Sequence, residues 1–274
     1  MALKLNATRE ACREFYGQNV EQMLKLIADG RTPMNTAQLM QRRLDVRNSD
    51  DVKSAYMDNY FDTGDAVVYH PDGRVKIVLD SQTLRDMTPE SPRSNGALIL
   101  ASEVYDPLQG EEFKKGKLST TDAPLSREEV KAHPVWKFLA RDQGLLNDYT
   151  DYIFGEYQAR FAKGTSLEDV RAMGVFPDSA GDQPKMRAWV VDGLEYGSNA
   201  RGRSSLVDGG GRFVGIAPEA LSAPVEAKTS SASGVKPYTI ADLQAFDKAM
   251  GGLEAVVRSD VLKPLVNLRR KLYG

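Results

Sequence analysis

Apolar and polar residues alternate on either side of Pro71-Asp72-Gly73, and this pattern predicts a β-hairpin with arms at residues 66–70 and 74–79. In the second arm, Val75, Ile77 and Leu79 occupy every second position. Successive side chains of a strand point to opposite faces, so this alternation turns one face toward a core. Proline presets φ for a turn and glycine accepts a positive φ, which places the reversal at residues 71–73.

Three further short apolar runs predict strands at residues 97–101, 186–191 and 212–217, because each run is bounded by turn-forming or polar residues. Near the N-terminus the apolar spacing is helical instead. It predicts one helix over residues 8–29, ended by Gly30.

Two more helices are predicted to begin at residues that can cap a helix N-terminus, Thr36 and Ser49. Further along, Ser126 and Glu129 have the spacing of a capping box, and a long aromatic helix follows over residues 145–161. We also predict a short helix from Ser166. The polar residues 105–124 are predicted to form a loop.

Helical and strand patterns do not alternate strictly, so the sequence predicts an α+β fold and not a doubly wound one. This fold comprises N-terminal helices, a mixed or antiparallel sheet that contains the hairpin, a middle helical segment and C-terminal helices. We predict a main domain over residues 1–221 and a linker over 222–237, which is rich in Ser, Ala, Thr and Pro. A helical segment over 238–274 is predicted to pack on the main domain.

The composition narrows the class of protein. The chain has 274 residues, 41% hydrophobic and 27% charged, close to the average for globular domains. No apolar run approaches the roughly 18–20 residues needed to span a bilayer, and a net charge of −2 does not support nucleic-acid binding. With one cysteine and two histidines, a disulfide within the chain and a three-imidazole site are both excluded. We therefore expect a cytoplasmic globular protein without a membrane partner.

Residues 192–212, the Gly/Arg segment, hold six glycines in 21 positions. Glycine lets backbone amides approach an anion, and arginine offers forked donors to phosphate or carboxylate. The candidate anion-binding residues are Arg201, Arg203, Arg212, Ser204 and Asn199. The segment matches neither the Walker pattern nor the dinucleotide-binding fingerprint. The alternative is a surface loop whose arginines are solvated or pair with nearby acidic residues.

A group of acidic residues precedes the hairpin, and Asp58, Asp62 and Asp65 are candidate ligands of Mg²⁺ or Ca²⁺. Their order does not fit the EF-hand. Asp62-Thr63-Gly64 also resembles the core triplet of aspartic proteases, which would imply a homodimer that contributes two such triplets. Asp65 departs from that pattern, because it places a charge where the family has a small residue. The simplest alternative is a turn that enters the hairpin.

Two classes of function stay open at this level. The first is a non-enzymatic binding or assembly protein, with a protein partner or a small anionic ligand that contacts the Gly/Arg segment. The second is an enzyme that acts on a phosphorylated or carboxylated small molecule, with the arginines as clamps and an Asp or His as base. A cleft that joins the segment to a carboxylate or histidine would favour the enzyme. No cofactor is assigned by any motif.

Because the chain has a single cysteine, Cys12, we predict that folding stability does not depend on a disulfide. Thermal melting with and without a reducing agent should give the same midpoint. A large loss of stability with the reductant would instead indicate a bridge between two chains.

Overall fold

A nine-residue strand, β3 (Phe61–Tyr69), is the central element of a mixed sheet in the computed structural model of the protein. The structure describes residues 3, 5, 11–114, 123–178 and 181–218. The predicted linker (222–237) and C-terminal helical segment (238–274) lie outside the described residues, and both stay predictions.

The strands are β1 (Cys12–Tyr16), β2 (Thr32–Pro33), β3, β4 (Arg74–Val78), β5 (Arg93–Ser94), β6 (Ala97–Ile99), β7 (Glu111–Lys114), β8 (Val175–Phe176), β9 (Lys185–Val191), β10 (Ala200–Arg201) and β11 (Arg212–Ile216). The sheet follows the order β1-β11-β3-β9-β10-β8, with β4 pairing with β3 and β6 pairing with β9. The pairs β3–β11 and β8–β10 are parallel and the others antiparallel, so the sheet is mixed.

Helices cover both faces of this sheet. They are α1 (Asn19–Ala28), α2 (Thr36–Asp45), α3 (Asp50–Met57), α4 (Gln82–Arg85), α5 (Ser102–Tyr105), α6 (Arg127–Ala132), α7 (Pro134–Ala140) and α8 (Gln143–Phe161). Because neighbouring side chains of a strand point to opposite faces, β3 contributes to a core on each face of the sheet, and Phe61 at its start packs in a third cluster. Val67 and Tyr69 pack in one core with Trp136 of α7, and Ala66 packs in the other with Met23 of α1.

The α+β class and the predicted hairpin are confirmed. Two capping boxes begin helices as the sequence pattern requires, one at Ser126 and one at Asn35. The second is one residue earlier than predicted, because the Asn35 side chain accepts a hydrogen bond from the Gln38 amide while Gln38 bonds back to the Asn35 amide. Asn35, and not Thr36, is therefore the N-cap of α2.

Three sequence-based expectations are wrong. The first half of the predicted helix 8–29 contains β1, which pairs with β11 far along the chain, and Gly17 (φ +137°) separates it from α1. Within the predicted loop 105–124, residues 111–114 form β7 along β4, and residues 115–122 lie outside the described part. The Ser166–Asp169 contact closes a turn and not a helix. In the first two cases, pairing between distant strands overrides the local pattern.

An irregularity divides β3 into two parts at residues 62–66. Asp62 pairs with Val190 but Ala66 pairs with Ala188, so β3 advances four residues over a length in which β9 advances two. The expected turn at Asp62–Asp65 is thus a bulge inside the strand. The bulge turns the buried Asp65 carboxylate toward the amides of Thr36 and Asp80, at 2.8 and 3.0 Å.

Arg43 of α2 is fully buried and joins several elements through its guanidinium group. It donates to five oxygen acceptors: the carbonyls of Tyr56, Asn59 and Asp192 and the hydroxyls of Tyr149 and Ser198. Tyr56 belongs to α3, Asn59 to the segment before β3 and Tyr149 to α8, while Asp192 and Ser198 belong to the segment after β9. All are neutral, so the buried charge is compensated by hydrogen bonds in place of a carboxylate.

We predict that Arg43→Met lowers the free energy of unfolding by at least about 3 kcal/mol, because it leaves buried oxygen acceptors without donors. The matched control is Arg47→Met, at an exposed arginine just after the same helix, which should change stability by less than about 0.5 kcal/mol. Urea denaturation of both variants measures the difference. Equal stability of the two variants would contradict the role given to Arg43.

Candidate functional site

A cavity of about 520 Å³, the polar pocket, opens between the ends of β3 and β9 and the Gly/Arg segment. The strands and the residue before β3 contribute Tyr60, Asp62 and Val190. The Gly/Arg segment contributes Asp192, Arg201, Arg203, Ser204, Ser205, Asp208, Gly210 and Gly211. The lining is therefore mostly polar and carries charges of both signs.

The path of the Gly/Arg segment is set by close packing against the sheet. After β9 the chain makes a short 3₁₀ turn (Leu194–Tyr196) and returns as β10, which pairs with the end of β9. A side chain on Gly202 would collide with the Tyr69 hydroxyl, and one on Gly211 would collide with the Asn19 side chain. These two glycines are thus required by the frame beneath the pocket, which is a structural reason for their presence.

The three predicted arginines have different environments. Arg201 lines the pocket and donates to the Asp192 carboxylate at 2.5 Å. Arg212 does not line it, because its guanidinium group bonds the Asn59 side chain and pairs with Glu14 at 2.9 Å. Arg203 is exposed at the pocket and lies over the Phe176 ring. The structure therefore brings Arg201 and Arg203 to one cavity and directs Arg212 elsewhere.

The two neutral candidates also differ. Ser204 lines the pocket, and its carbonyl accepts a hydrogen bond from Arg187 at 2.8 Å. Asn199 is buried and does not line the pocket, since its side chain accepts from the Gly174 amide at 2.7 Å and donates to the Tyr196 carbonyl. Asn199 thus holds the turn in place.

Two buried carboxylates lie on the inner wall. Burial raises the pKa of Asp62 to about 6, and the Arg212 backbone amide, which donates to Asp62 at 2.7 Å, opposes this rise. Burial also raises the pKa of Asp192, against the lowering effect of Arg201. Asp208, by contrast, is exposed and accepts from the Gly210 amide. The cleft that contains the two arginines therefore also contains carboxylates.

The structure does not bring the three candidate metal ligands together. Asp58 pairs with Arg160 at 2.7 Å, Asp62 faces the polar pocket, and Asp65 pairs with Arg141 at 2.9 Å. Within residues 11–114, 123–178 and 181–218, no group of three or more His, Cys, Asp or Glu side chains has an arrangement that could hold a metal ion. The triplet that resembles aspartic proteases forms the bulge of β3, where the Thr63 hydroxyl donates to the Trp189 carbonyl at 3.0 Å.

Several pocket residues were not predicted as site residues from the sequence. Tyr60, Ser205 and Asp208 line the cavity. Ser205 and Asp208 lie within the Gly/Arg segment and Tyr60 just before β3, but no motif marks any of the three individually. For Asp62, the sequence predicts a metal ligand or the first residue of the protease-like triplet, and not a wall of an anion pocket. The glycine-rich composition of the segment is the one signal that located the pocket.

Comparison with known proteins places the fold. No family model matches the chain. A search of curated proteins gives no match. The chain is similar to a solved structure described as "Accommodation of massive sequence variation in Nanoarchaeota by the C-type lectin fold", with a TM-score of 0.56 and 15% identity over 77% of this chain and all of that one. At this identity the likeness shows the fold alone, and that fold is the C-type lectin fold. None of the described helices is long and apolar enough to cross a membrane.

We predict that Asp62 makes the protein less stable as the pH rises from about 4 to about 6. The folded state holds the Asp62 proton up to about pH 6, whereas an unfolded aspartate releases it near pH 3.9. The contribution is therefore fully present below pH 4 and lost by about pH 6, and a shift of about two units corresponds to roughly 3 kcal/mol.

Urea denaturation between pH 4 and pH 7 measures this contribution as the difference between the wild type and Asp62→Asn. The control is Asp148→Asn, at an exposed position of α8, which should keep the wild-type pH profile. An unchanged profile in Asp62→Asn would contradict the assignment.

Proposed function

We propose that this is a non-enzymatic binding protein whose ligand enters the polar pocket and presents an anionic group, carboxylate or phosphate, to Arg203. The C-type lectin fold supports a binding role, because a solved structure with this fold, to which the chain is similar, is described as accommodating massive sequence variation. The location of the pocket on the Gly/Arg segment supports the anionic contact.

The observation that carries this proposal is the state of Arg203. Among the described residues, its guanidinium group has no hydrogen-bond or ion-pair partner, although Arg201, Arg187 and Arg212 nearby are all paired. The aromatic face of Phe176 beneath it supports the side chain at 5.5 Å. An arginine held in this way offers its forked donors to a planar or tetrahedral anion.

One observation favours an enzyme as a second candidate. Asp62, with a pKa of about 6, lies in the same pocket as the arginines, and a carboxylate of that pKa can act as a general base near neutral pH. The binding role remains our first proposal, because Asp62 is 3% exposed and already accepts from the Arg212 amide. Turnover of phosphate or carboxylate esters by the wild type, and its loss in Asp62→Asn, would favour the enzyme.

Sulfate, which stays fully ionised across the useful pH range, is the probe for the anion contact. We predict that Arg203→Ala lowers sulfate affinity about ten- to a hundredfold, as the loss of a charged hydrogen bond implies. Arg203→Lys should recover part of the affinity, since it restores the charge without the fork. Isothermal titration calorimetry gives the dissociation constants.

The matched control is Arg93→Ala, at an exposed arginine that does not line the pocket, and it should bind sulfate as the wild type does. Both alanine variants should unfold within about 0.5 kcal/mol of the wild type. Equal sulfate affinity in the wild type and Arg203→Ala would contradict the proposed contact.

A further inference from the structure

The exposed tyrosines of the described residues all border the polar pocket. They are Tyr16, Tyr60 and Tyr196, with 55%, 37% and 61% of their surface exposed. Tyr60 lines the pocket, and Arg212 lies over the rings of both Tyr60 and Tyr16. Tyr196 lies beside Arg201, which also lines the pocket. We name Tyr16, Arg212, Tyr60, Arg201 and Tyr196 the tyrosine–arginine row.

The row is held in position by contacts among its own members. The Arg212 guanidinium lies 5.0 Å from the Tyr16 ring and 5.3 Å from the Tyr60 ring, and the Arg201 guanidinium lies 5.8 Å from the Tyr196 ring. The Tyr60 hydroxyl donates to the Gly210 carbonyl, which fixes that ring further. Rings restrained in the unbound protein lose little side-chain entropy when a partner covers them.

Both arginines of the row form ion pairs with carboxylates, whereas Arg203 in the pocket does not. Arg212 pairs with Glu14 and Arg201 pairs with Asp192. Arg203, which lines the same pocket as Arg201 and Asp192, presents the unpaired cation described above. The three tyrosines therefore lie around a pocket in which Arg203 is a cation without a described carboxylate partner, while Asp62 and Asp208 add carboxylates to the same lining.

We propose that this row and the polar pocket together recognise a protein partner that places one Asp or Glu side chain against Arg203. This inference rests on the proposed anion contact and names the molecule that carries the anion. Tyrosine and arginine are, with tryptophan, the residues most enriched among the dominant contacts of protein interfaces. An Asp or Glu carboxylate matches the forked donors of Arg203. A nucleic acid fits poorly, because its further phosphates would meet Asp62, Asp192 and Asp208.

The test uses a displayed library of random twelve-residue peptides selected against the full chain. We expect the enriched peptides to share an acidic residue beside apolar or aromatic ones. A synthetic peptide from the enriched set should bind the wild type and lose at least tenfold in affinity on Arg203→Ala, as measured by fluorescence polarisation.

The tyrosines separate this proposal from the anion contact alone. Tyr16→Ala and Tyr196→Ala should each weaken the peptide at least fivefold and leave sulfate affinity within twofold of the wild type. The matched control is Phe161→Ala, an exposed aromatic at the end of α8 outside the row, which should bind both probes normally.

Three results would overturn the inference: no enriched peptide, enriched peptides without an acidic residue, or peptide binding that ignores both tyrosines. Glycan arrays and single-stranded oligonucleotides are run in parallel, and binding to either that depends on the tyrosines would replace the protein partner. If Arg203→Ala loses sulfate binding but any of these results is found, the anion contact stands and the protein partner is wrong. If peptides bind but Arg203→Ala binds sulfate as the wild type does, the anion contact is wrong.

Discussion

The pocket depends on a buried charge that lies outside it. Arg43 brings a guanidinium group into the interior, where an uncompensated charge costs several kcal/mol. It is tolerated because its hydrogen-bond donors meet neutral oxygens at 2.7–3.3 Å. Since the acceptors include the Asp192 carbonyl and the Ser198 hydroxyl, Arg43 fixes the start of the Gly/Arg segment against α8. The Asp192 carboxylate is thereby free to face Arg201.

The polar pocket contains two charged side chains, Asp62 and Arg203, that do not neutralise each other. Asp62 is a buried carboxylate that accepts from the Arg212 backbone amide and has no described arginine or lysine ion pair, and Arg203 is an exposed guanidinium without a described carboxylate partner. The two form no ion pair: Asp62 is fixed on β3, and Arg203 lies over the Phe176 ring. A ligand with one anionic group gains the Arg203 contact, and the buried Asp62 repels it less when protonated.

The elements that the sequence predicted are those that depend on neighbours along the chain. The hairpin follows from alternation around Pro71-Asp72-Gly73, and the Ser126 capping box closes within four residues. The missed strands β1 and β7 are ordered by β11 and β4, and their own residues carry no alternating pattern strong enough to reveal this. The bulge at Asp62–Asp65 likewise depends on Thr36 and Asp80, which no local pattern joins to it.

The candidate site shows the same difference between features set by neighbours along the chain and features set by distant contacts. The glycine content of residues 192–212 indicates a site there. It does not indicate how the three arginines differ, because their contacts are with residues 9 to 198 positions away in the sequence: Arg201 with Asp192, Arg203 with Phe176 and Arg212 with Glu14. The tyrosines Tyr16, Tyr60 and Tyr196 carry no signal as a group, since single exposed aromatics are ordinary until a fold places them on one surface.

Within the Gly/Arg segment, some residues support the fold and others only line the pocket. Gly202, Gly211 and Asn199 pack against or hydrogen-bond to the frame, so their replacement would disturb the fold. Arg203 and Asp208 are exposed, and their side chains reach the pocket without supporting the sheet beneath. Substitution of exposed side chains of this kind usually changes stability by less than about 0.5 kcal/mol. The pocket can therefore change its chemistry at these positions while Arg43 and the packed glycines keep its shape, which is the physical requirement for a binding surface whose specificity is set separately from its fold.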